Sequence, residues 1–218
     1  MIVLRDVGVD HAPGTPWEVM ALDGVDLRIG PGERVLVTGP NGSGKSTLAW
    51  VLAGLVLPAR GTAELDGVPL VDARDRTGIA FQHPRMQLLR PTVGAELESI
   101  VGTRSSARYA LGLVGLGGSM IDRRVDELSG GEQRRVVLAG LLARPLRLVV
   151  LDEPIAGLDE TGFDALRAAV AALAARGTAT VVVTHERTGL AGLGDRVVEL
   201  DHGRVSADRP LAASEAAS

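Results

Sequence analysis

The sequence predicts an α/β domain built on a mainly parallel sheet. Two runs of β-branched and leucine residues, 147–151 and 180–183, have the character of buried parallel strands. Helical patterns over 46–57, 132–142 and 161–176 lie between strands. Strands that alternate with helices in this way are typical of a parallel sheet whose faces are covered by helices.

The remaining predicted strands are shorter. Residues 2–7 and 25–29 are expected to form an N-terminal antiparallel β subdomain, and 34–38 and 78–81 to join the main sheet. The last predicted helix stops before Gly177, a residue type favoured just past a helix end.

We predict one domain over residues 1–218. The stretch from about 84 to 145 has helical patterning and no strand pattern, so it is expected to be an inserted helical subdomain. Residues 207–218, rich in alanine and serine, are expected to be a loose tail.

Composition excludes several classes of protein. The chain has 218 residues, a formal net charge of −4 and no cysteine, which excludes disulfide scaffolds, iron–sulfur clusters and thiolate nucleophiles. The longest apolar run, 48–58, falls short of the ~20 residues that span a bilayer. The acidic balance disfavours a nucleic-acid groove, so we expect no nucleic-acid partner.

Three residue types are rare enough to be informative. Lys45 is the only lysine among 23 basic residues, and Asn41 is the only asparagine. The glutamines are Gln82, Gln87 and Gln133. Lysine and arginine are not interchangeable where a compact charge must reach a confined anion. Because the chain uses arginine at every other basic position, the single lysine indicates a position whose chemistry requires lysine.

Four apolar strands end in polar residues. In open α/β sheets, ligands bind at the carboxyl ends of the strands, so several such ends on one edge predict a site. The polar residues that follow the strands are Thr38, Gln82, Asp152, Glu153, Thr184 and His185.

A phosphate-binding loop follows the strand 34–38. The segment fits G-x-x-x-x-G-K-[ST] in a strand–loop–helix setting, in which backbone N–H groups surround phosphates, Lys45 reaches the β and γ phosphates, and Ser46 binds Mg²⁺. The alternative is a glycine-rich turn with a chance lysine. The predicted ATP-binding residues here are Gly39, Pro40, Asn41, Gly42, Ser43, Gly44, Lys45, Ser46 and Thr47.

The pair Asp152–Glu153 directly follows a buried strand. Asp152 is predicted to hold Mg²⁺ through water, and Glu153 to polarise the attacking water. The alternative is two solvated carboxylates in a turn before Pro154.

The segment Leu128-Ser-Gly-Gly-Glu-Gln133 opens the helix predicted at 132–142. Ser129 and Glu132 fit a capping box, which would explain both residues. It does not explain Gly130 and Gly131, each of which costs about 1 kcal/mol inside a helix. Bare backbone at a helix N-terminus suits a phosphate contact, and both interpretations can hold together.

In this order, the motifs resemble those of the ATPase subunits of ABC transporters over essentially the whole chain. The family's fold, ATP and Mg²⁺ as ligands, and catalytic roles for Lys45, Gln82, Glu153 and His185 are what this resemblance implies. It further implies that Gln82 contacts Mg²⁺ and senses a membrane partner, that Asp159 of the Ala156-Gly-Leu-Asp159 turn crosses a dimer interface, and that His185 contacts the γ-phosphate. Taken singly, these three residues could be a solvated amide, a turn acid and a strand-end histidine.

The same resemblance places an adenine contact after the first strand. The family usually has an aromatic residue there, and this chain has His11. Trp17 is a competing candidate that is expected to pack instead.

A finer resemblance concerns residues 81–93, FQHPRMQLLRPTV. They are similar to the corresponding stretch of energy-coupling factor importers and of cobalt and nickel systems. This implies uptake of a vitamin or transition-metal ion, a head-to-tail dimer with itself or a paralogue, and integral membrane partners at the cytoplasmic face of the membrane. An exporter or lipid-releasing ATPase is the main alternative, and a non-transport ABC ATPase a weaker one.

Overall fold

The structure, a computed structural model, describes residues 1–11, 19–186 and 190–212. Ten strands and five α-helices form within these residues. The strands are β1 (Ile2–His11), β2 (Val19–Ile29), β3 (Arg34–Thr38), β4 (Arg60–Leu65), β5 (Val68–Pro69), β6 (Thr77–Ala80), β7 (Leu148–Asp152), β8 (Ala179–Val183), β9 (Arg196–Asp201) and β10 (Arg204–Pro210). The helices are α1 (Lys45–Leu52), α2 (Val93–Val101), α3 (Arg104–Leu113), α4 (Gly130–Leu142) and α5 (Glu160–Ala175).

The larger sheet has the strand order β10-β9-β3-β8-β7-β6. Its neighbouring strands are all parallel except β10, which is antiparallel to β9. The predicted α/β fold with a mainly parallel sheet is therefore confirmed.

The smaller sheet has the order β2-β1-β4-β5 and is antiparallel throughout. This confirms the expected N-terminal antiparallel layer. Its first two strands are longer than predicted, because β1 and β2 pair from Ile2↔Ile29 to His11↔Val19.

Two hydrophobic cores lie on opposite faces of the larger sheet. Strand β7 is buried along its whole length, and its side chains alternate between the two cores. Val149 and Leu151 join the core that contains α4 and α5, whereas Leu148 and Val150 join the core that contains α1 and β1. Burial on both faces explains why this strand is a continuous apolar run.

Helix α1 ends five residues earlier than predicted, at Leu52. Gly54 has φ +74°, and its N–H donates to the carbonyl of Val51, while the N–H of Leu55 donates to the carbonyl of Trp50 at 2.8 Å. This is a Schellman motif, which closes the helix end. The predicted helix was too long because the residues between Leu52 and β4 are also apolar, although they form the loop that connects α1 to β4.

The expected tail at 207–218 is wrong for its first four residues. Strand β10 continues to Pro210 and pairs with β9 through Ala207↔Glu199 and Arg209↔Val197. The guanidinium of Arg196 also donates to both carboxylate oxygens of Asp208, at 2.6 and 2.5 Å. A polar edge strand carries no apolar periodicity, so the pattern did not reveal it.

Between 84 and 145 the structure has helices α2, α3 and α4 and one isolated antiparallel bridge, Thr92↔Arg124. Helix α4 starts at Gly130, two residues before the predicted start. The limits of a helical subdomain at 84 and 145 remain a prediction.

We expect Gly54→Ala to be more destabilising than an alanine substitution at a glycine that also has positive φ but has open space around a Cβ. A Cβ at Gly54 would lie 2.3 Å from the carbonyl oxygen of Leu70, so the backbone must shift in addition to adopting φ +74°. Gly67→Ala is the matched control, since it has φ +81° and open space around a Cβ. In urea unfolding we expect the control to lose about 1 kcal/mol and Gly54→Ala to lose about 2–4 kcal/mol. Equal losses would contradict the steric argument.

Candidate nucleotide site

The carboxyl ends of β3, β8, β7 and β6 meet at one edge of the larger sheet. The four strands are consecutive neighbours and parallel, so the polar residues that follow them are brought together. Backbone bonds continue past the strand ends, from the N–H of Thr184 to Val37 and from that of Glu153 to Val183. The predicted convergence is confirmed.

The loop between β3 and α1 wraps closely against neighbouring backbone. A Cβ at Gly39 would lie 2.1 Å from the carbonyl oxygen of Leu200, and one at Gly44 would lie 2.4 Å from that of Ala21. Both glycines also have positive φ, of 148° and 99°. Glycine is therefore required at both positions for β2 and β9 to support the loop.

Lys45 lies inside its own loop. Its side chain is buried, and Nζ donates to the carbonyls of Gly39 and Pro40 at 2.8 and 2.9 Å. An ammonium group has three donors, so one remains to meet an anion. The hydroxyl of Ser43 is buried in this loop without a hydrogen-bond partner among the described residues, and Asn41 is exposed at its tip.

Asp152 is a buried carboxylate without a full set of partners. Its Oδ1 has no hydrogen bond among the described residues. Burial raises the pKa of this carboxyl, Glu153 raises it further, and Lys45 opposes the rise. Mg²⁺ typically takes one or two carboxylates together with substrate phosphates. An orphaned carboxylate oxygen within electrostatic reach of Lys45 in the phosphate loop fits that ion.

Glu153 and His185 are paired. Glu153 Oε1 lies 2.9 Å from His185 Nδ1, while Glu153 Oε2 is buried with no partner among the described residues. The backbone of Glu153 is left-handed, with φ +48°. The hydrogen bond to Glu153 is the largest cause of a raised pKa for His185, whose side chain is 56% exposed. The pair can polarise a water and hold a proton on the imidazole.

We expect the pKa of the His185 imidazole to fall in Glu153→Gln. The raised pKa reflects a protonated form stabilised by the carboxylate, so its stabilisation is present at low pH and is lost as pH rises through the raised value. Removing the carboxylate charge removes that preference. Ring-proton NMR titration checks this, with the exposed His202 as internal control. An unchanged His185 titration would mean that the two groups do not interact in solution.

Helix α4 opens with the predicted capping box. The Ser129 hydroxyl accepts from the N–H of Glu132 at 3.2 Å, and Glu132 Oε2 accepts from the N–H of Ser129 at 2.8 Å. This backbone hydrogen bond is the main cause of a lowered pKa for Glu132. A Cβ at Gly130 or Gly131 would meet nothing within 4 Å, so the helix end is open. The cap and the open backbone are both present.

Two of the predicted residues, Asp159 and Gln82, do not take part in these contacts. Asp159 caps α5, since its Oδ1 accepts from the N–H of Gly162 at 2.8 Å. Gln82 is exposed, two residues after the end of β6. The side chain of His11 and the whole of Trp17 lie outside the described residues, so the adenine contact remains a prediction.

Two arginines support the site and were missed by the sequence analysis. Arg123 Nη1 donates to Glu132 Oε1 at 2.9 Å, the carboxylate oxygen that the capping box does not use. Arg134, on α4, donates to the carbonyl of Ala156 in the turn after Glu153. Arginine is so frequent in this chain that its presence at either position carried no information.

A phosphate-binding loop at the carboxyl edge of a parallel sheet, with an acid pair on the adjoining strand, defines a P-loop nucleotide-binding protein. The sequence profile of the ABC transporter family matches residues 22–156. The chain belongs to this family, as an ATPase cassette.

Individual proteins that are similar in sequence to this chain are also named as ABC transporter ATP-binding proteins. The chain is 44% identical over 218 residues to the uncharacterized ABC transporter ATP-binding protein Rv2326c of Mycobacterium tuberculosis, and the match covers 98% of this chain and 31% of that protein. It thus spans about a third of that relative. It is 40% identical to the energy-coupling factor transporter ATP-binding protein EcfA2 of Symbiobacterium thermophilum, over 94% of this chain and 76% of that one.

A solved structure extends the likeness to three dimensions. The dimeric post-hydrolysis state of the ATP-binding cassette MJ0796 bound to ADP and Pi superposes with a TM-score of 0.83. The two chains are 28% identical, and the match covers 97% of this chain and 99% of that one.

Proposed function

We propose that the chain hydrolyses ATP at the sheet edge described above. The observation that carries this proposal is the Glu153–His185 pair, 2.9 Å apart. His185 follows β8, the neighbour of the strand β3 that leads into the Lys45 loop, and Glu153 follows β7, the next strand beyond β8. Lys45 binds the β and γ phosphates with its remaining donor. Glu153 takes a proton from the attacking water, and His185 donates to the γ-phosphate. Such roles match the needs of phosphoryl transfer, in which positioning and electrostatic stabilisation supply most of the catalysis.

Three side chains are proposed to hold Mg²⁺ with the nucleotide. They are the Ser46 hydroxyl at the start of α1, the orphaned carboxylate oxygen of Asp152, and the Gln82 amide after β6. When bound, the ion neutralises charge that develops on the phosphate oxygens. Its binding also stabilises the ionised form of Asp152 against the burial that raises the carboxyl pKa.

Each nucleotide is proposed to lie between two copies of the chain, or between the chain and a paralogue. The open backbone of Gly130 and Gly131 lies at the N-terminus of α4, where the helix dipole favours an anion. The phosphate loop of the same chain leads into a different helix, α1, so the α4 end is available for a second nucleotide. A head-to-tail partner provides a phosphate for the second helix end. Asp159 lies in the turn that then borders the interface. The MJ0796 relative is described as a dimer.

We propose that this dimer drives import through membrane subunits at the cytoplasmic face. A cavity of about 240 Å³ lies between β6, α2 and α4, and it suits a helix end of such a subunit. Met86 and Leu89, the sequence neighbours of the lining residues Gln87 and Leu88, are 71% and 82% exposed. No helix in the described part of the chain is long and apolar enough to cross a membrane. Energy-coupling import is favoured by the EcfA2 relative and by residues 81–93.

Isolation of the native complex tests the transport proposal. The chain is tagged in its own host and purified from detergent-solubilised membranes, and the accompanying subunits are identified by mass spectrometry. We expect an integral membrane scaffold and a small substrate-binding membrane protein. Recovery with an exporter-type membrane domain would overturn import, and recovery without any membrane protein would overturn transport.

A further inference from the structure

One rare residue, Gln87, has no role in the proposed chemistry, but its side chain makes two specific contacts. Its Nε2 donates to the carbonyl of Ile79 at 2.6 Å, and its Oε1 accepts from the N–H of Phe81 at 2.8 Å. The carbonyl of Ile79 lies in the last part of β6, and the N–H of Phe81 lies just past the strand end, immediately before Gln82.

These contacts replace a missing strand. Among the described residues, β6 lies at the edge of the larger sheet and pairs only with β7, in parallel. The carbonyl of Ile79 and the N–H of Phe81 flank Ala80, and a residue on a parallel neighbour would bond to the same two groups. The Gln87 amide supplies the one donor and one acceptor that such a residue would provide, which a carboxylate cannot do.

The same side chain lines the cavity proposed to receive the membrane subunit. Gln87 and Ile79 are both among the lining residues, together with Glu96 of α2. Glu96 Oε2 accepts from the N–H groups of Leu89 and Arg90 at 2.8 Å each, so the chain beyond Gln87 is also fixed to the cavity wall. A helix end pressed into this cavity therefore bears on the residue that holds the end of β6.

We infer that Gln87 is the positioning residue that fixes Gln82 over the nucleotide site and couples it to the cavity. This rests on the proposed role of Gln82. The amide locks Ile79 and Phe81, which leaves Gln82 one peptide unit from a fixed point. Loss of the amide releases β6 at its last residues and places Gln82 less accurately.

A double-mutant cycle on Mg²⁺-dependent ATPase activity of the full chain tests this inference. The variants are Gln87→Met, which removes both hydrogen bonds, Gln87→Glu, which faces the Ile79 carbonyl with a carboxylate, Gln82→Ala, and Gln82→Ala combined with Gln87→Met. Each Gln87 variant is expected to lower kcat by roughly 10-fold, as the loss of outer supports of metal ligands does, and to raise the Mg²⁺ concentration needed for half-maximal rate. In the Gln82→Ala background, Gln87→Met should have no further effect, because residues that act through one another are non-additive.

Arg85→Ala is the matched control for general loosening. Arg85 Nη1 donates to the carbonyl of Leu88 at 2.6 Å and so holds the same segment without touching β6. We expect its kcat to stay within about twofold of wild type, and thermal unfolding of all variants is followed in parallel. Gln87→Met at wild-type activity, equal loss in Arg85→Ala, or a full additional loss in the double variant would each overturn the inference. Wild-type activity in Gln82→Ala would instead overturn the proposed role of Gln82 itself.

Discussion

Glu153→Gln is expected to lower the single-turnover rate of ATP hydrolysis by about 10²–10⁴-fold, the range that general-base catalysis supplies. The amide has nearly the shape of the carboxylate but cannot take a proton from water. It leaves Lys45, Asp152 and the phosphate loop unchanged, so ATP affinity should stay within a few-fold of wild type. A selective loss of the chemical step is the mark of a group that acts mainly in the transition state.

The measurement pairs nucleotide binding with single-turnover hydrolysis. Glu186→Gln is the matched control, because it removes an exposed carboxylate one residue after His185 without removing the proposed base. We expect that control to hydrolyse ATP at close to the wild-type rate. If Glu153→Gln turned over normally, the general base would lie elsewhere; if both variants failed equally, local charge and not a positioned base would explain the loss.

Two inactive proteins are expected to recover ATPase activity when they are mixed. Lys45→Ala removes a phosphate ligand from the loop, and Ser129→Arg puts bulk and charge at the open end of α4. As homodimers, each variant damages both composite sites. In a mixed dimer one site collects both defects, and the other combines an intact loop with an intact α4 end. Activity should therefore depend on the mixing ratio, with its maximum near equal amounts of the two variants, and on the total concentration.

A second mixture is the matched control for this geometry. Lys45→Ala mixed with Glu153→Gln should give no recovery, because both residues belong to the same half of a site and each site of the mixed dimer keeps one defect. Mass measurement of cross-linked species verifies that mixed dimers form. Mixed dimers that stay inactive in the Lys45→Ala and Ser129→Arg mixture would contradict composite, independently working sites.

The sequence predicted the buried strands well because apolar periodicity reports burial directly. Strands β7 and β8 lie within one residue of the predicted runs, since both are buried on both faces. It failed at β10, whose exposed edge needs no apolar side chains, and at the end of α1, where a Schellman turn stops the helix inside an apolar run. The hydrogen bonds that end a helix and the position of a strand at a sheet edge leave no signal in the pattern of apolar residues.

The candidate site was predictable where function demands a rare residue type. The sole lysine and the acid pair lie at the sheet edge as expected, and the capping box at Ser129 is present in full. The supporting contacts were not predictable. Arg134 meets Ala156 across 22 residues of sequence, and Gln87 bonds to a strand edge whose exposure depends on the whole sheet order. Such contacts depend on tertiary placement and not on local spacing.

At Glu153, the left-handed backbone sets the rate of ATP hydrolysis against the stability of the fold. A non-glycine residue at φ +48° costs roughly 1–2 kcal/mol relative to an ordinary conformation, and the proline that follows restricts it further. Glycine would avoid this cost and would lose only about 0.4–1 kcal/mol through a more flexible unfolded chain. As far as backbone conformation is concerned, drift toward glycine at position 153 is therefore favoured by folding and opposed by selection for hydrolysis. A lineage in which ATP binding alone is useful can be expected to lose this acid early.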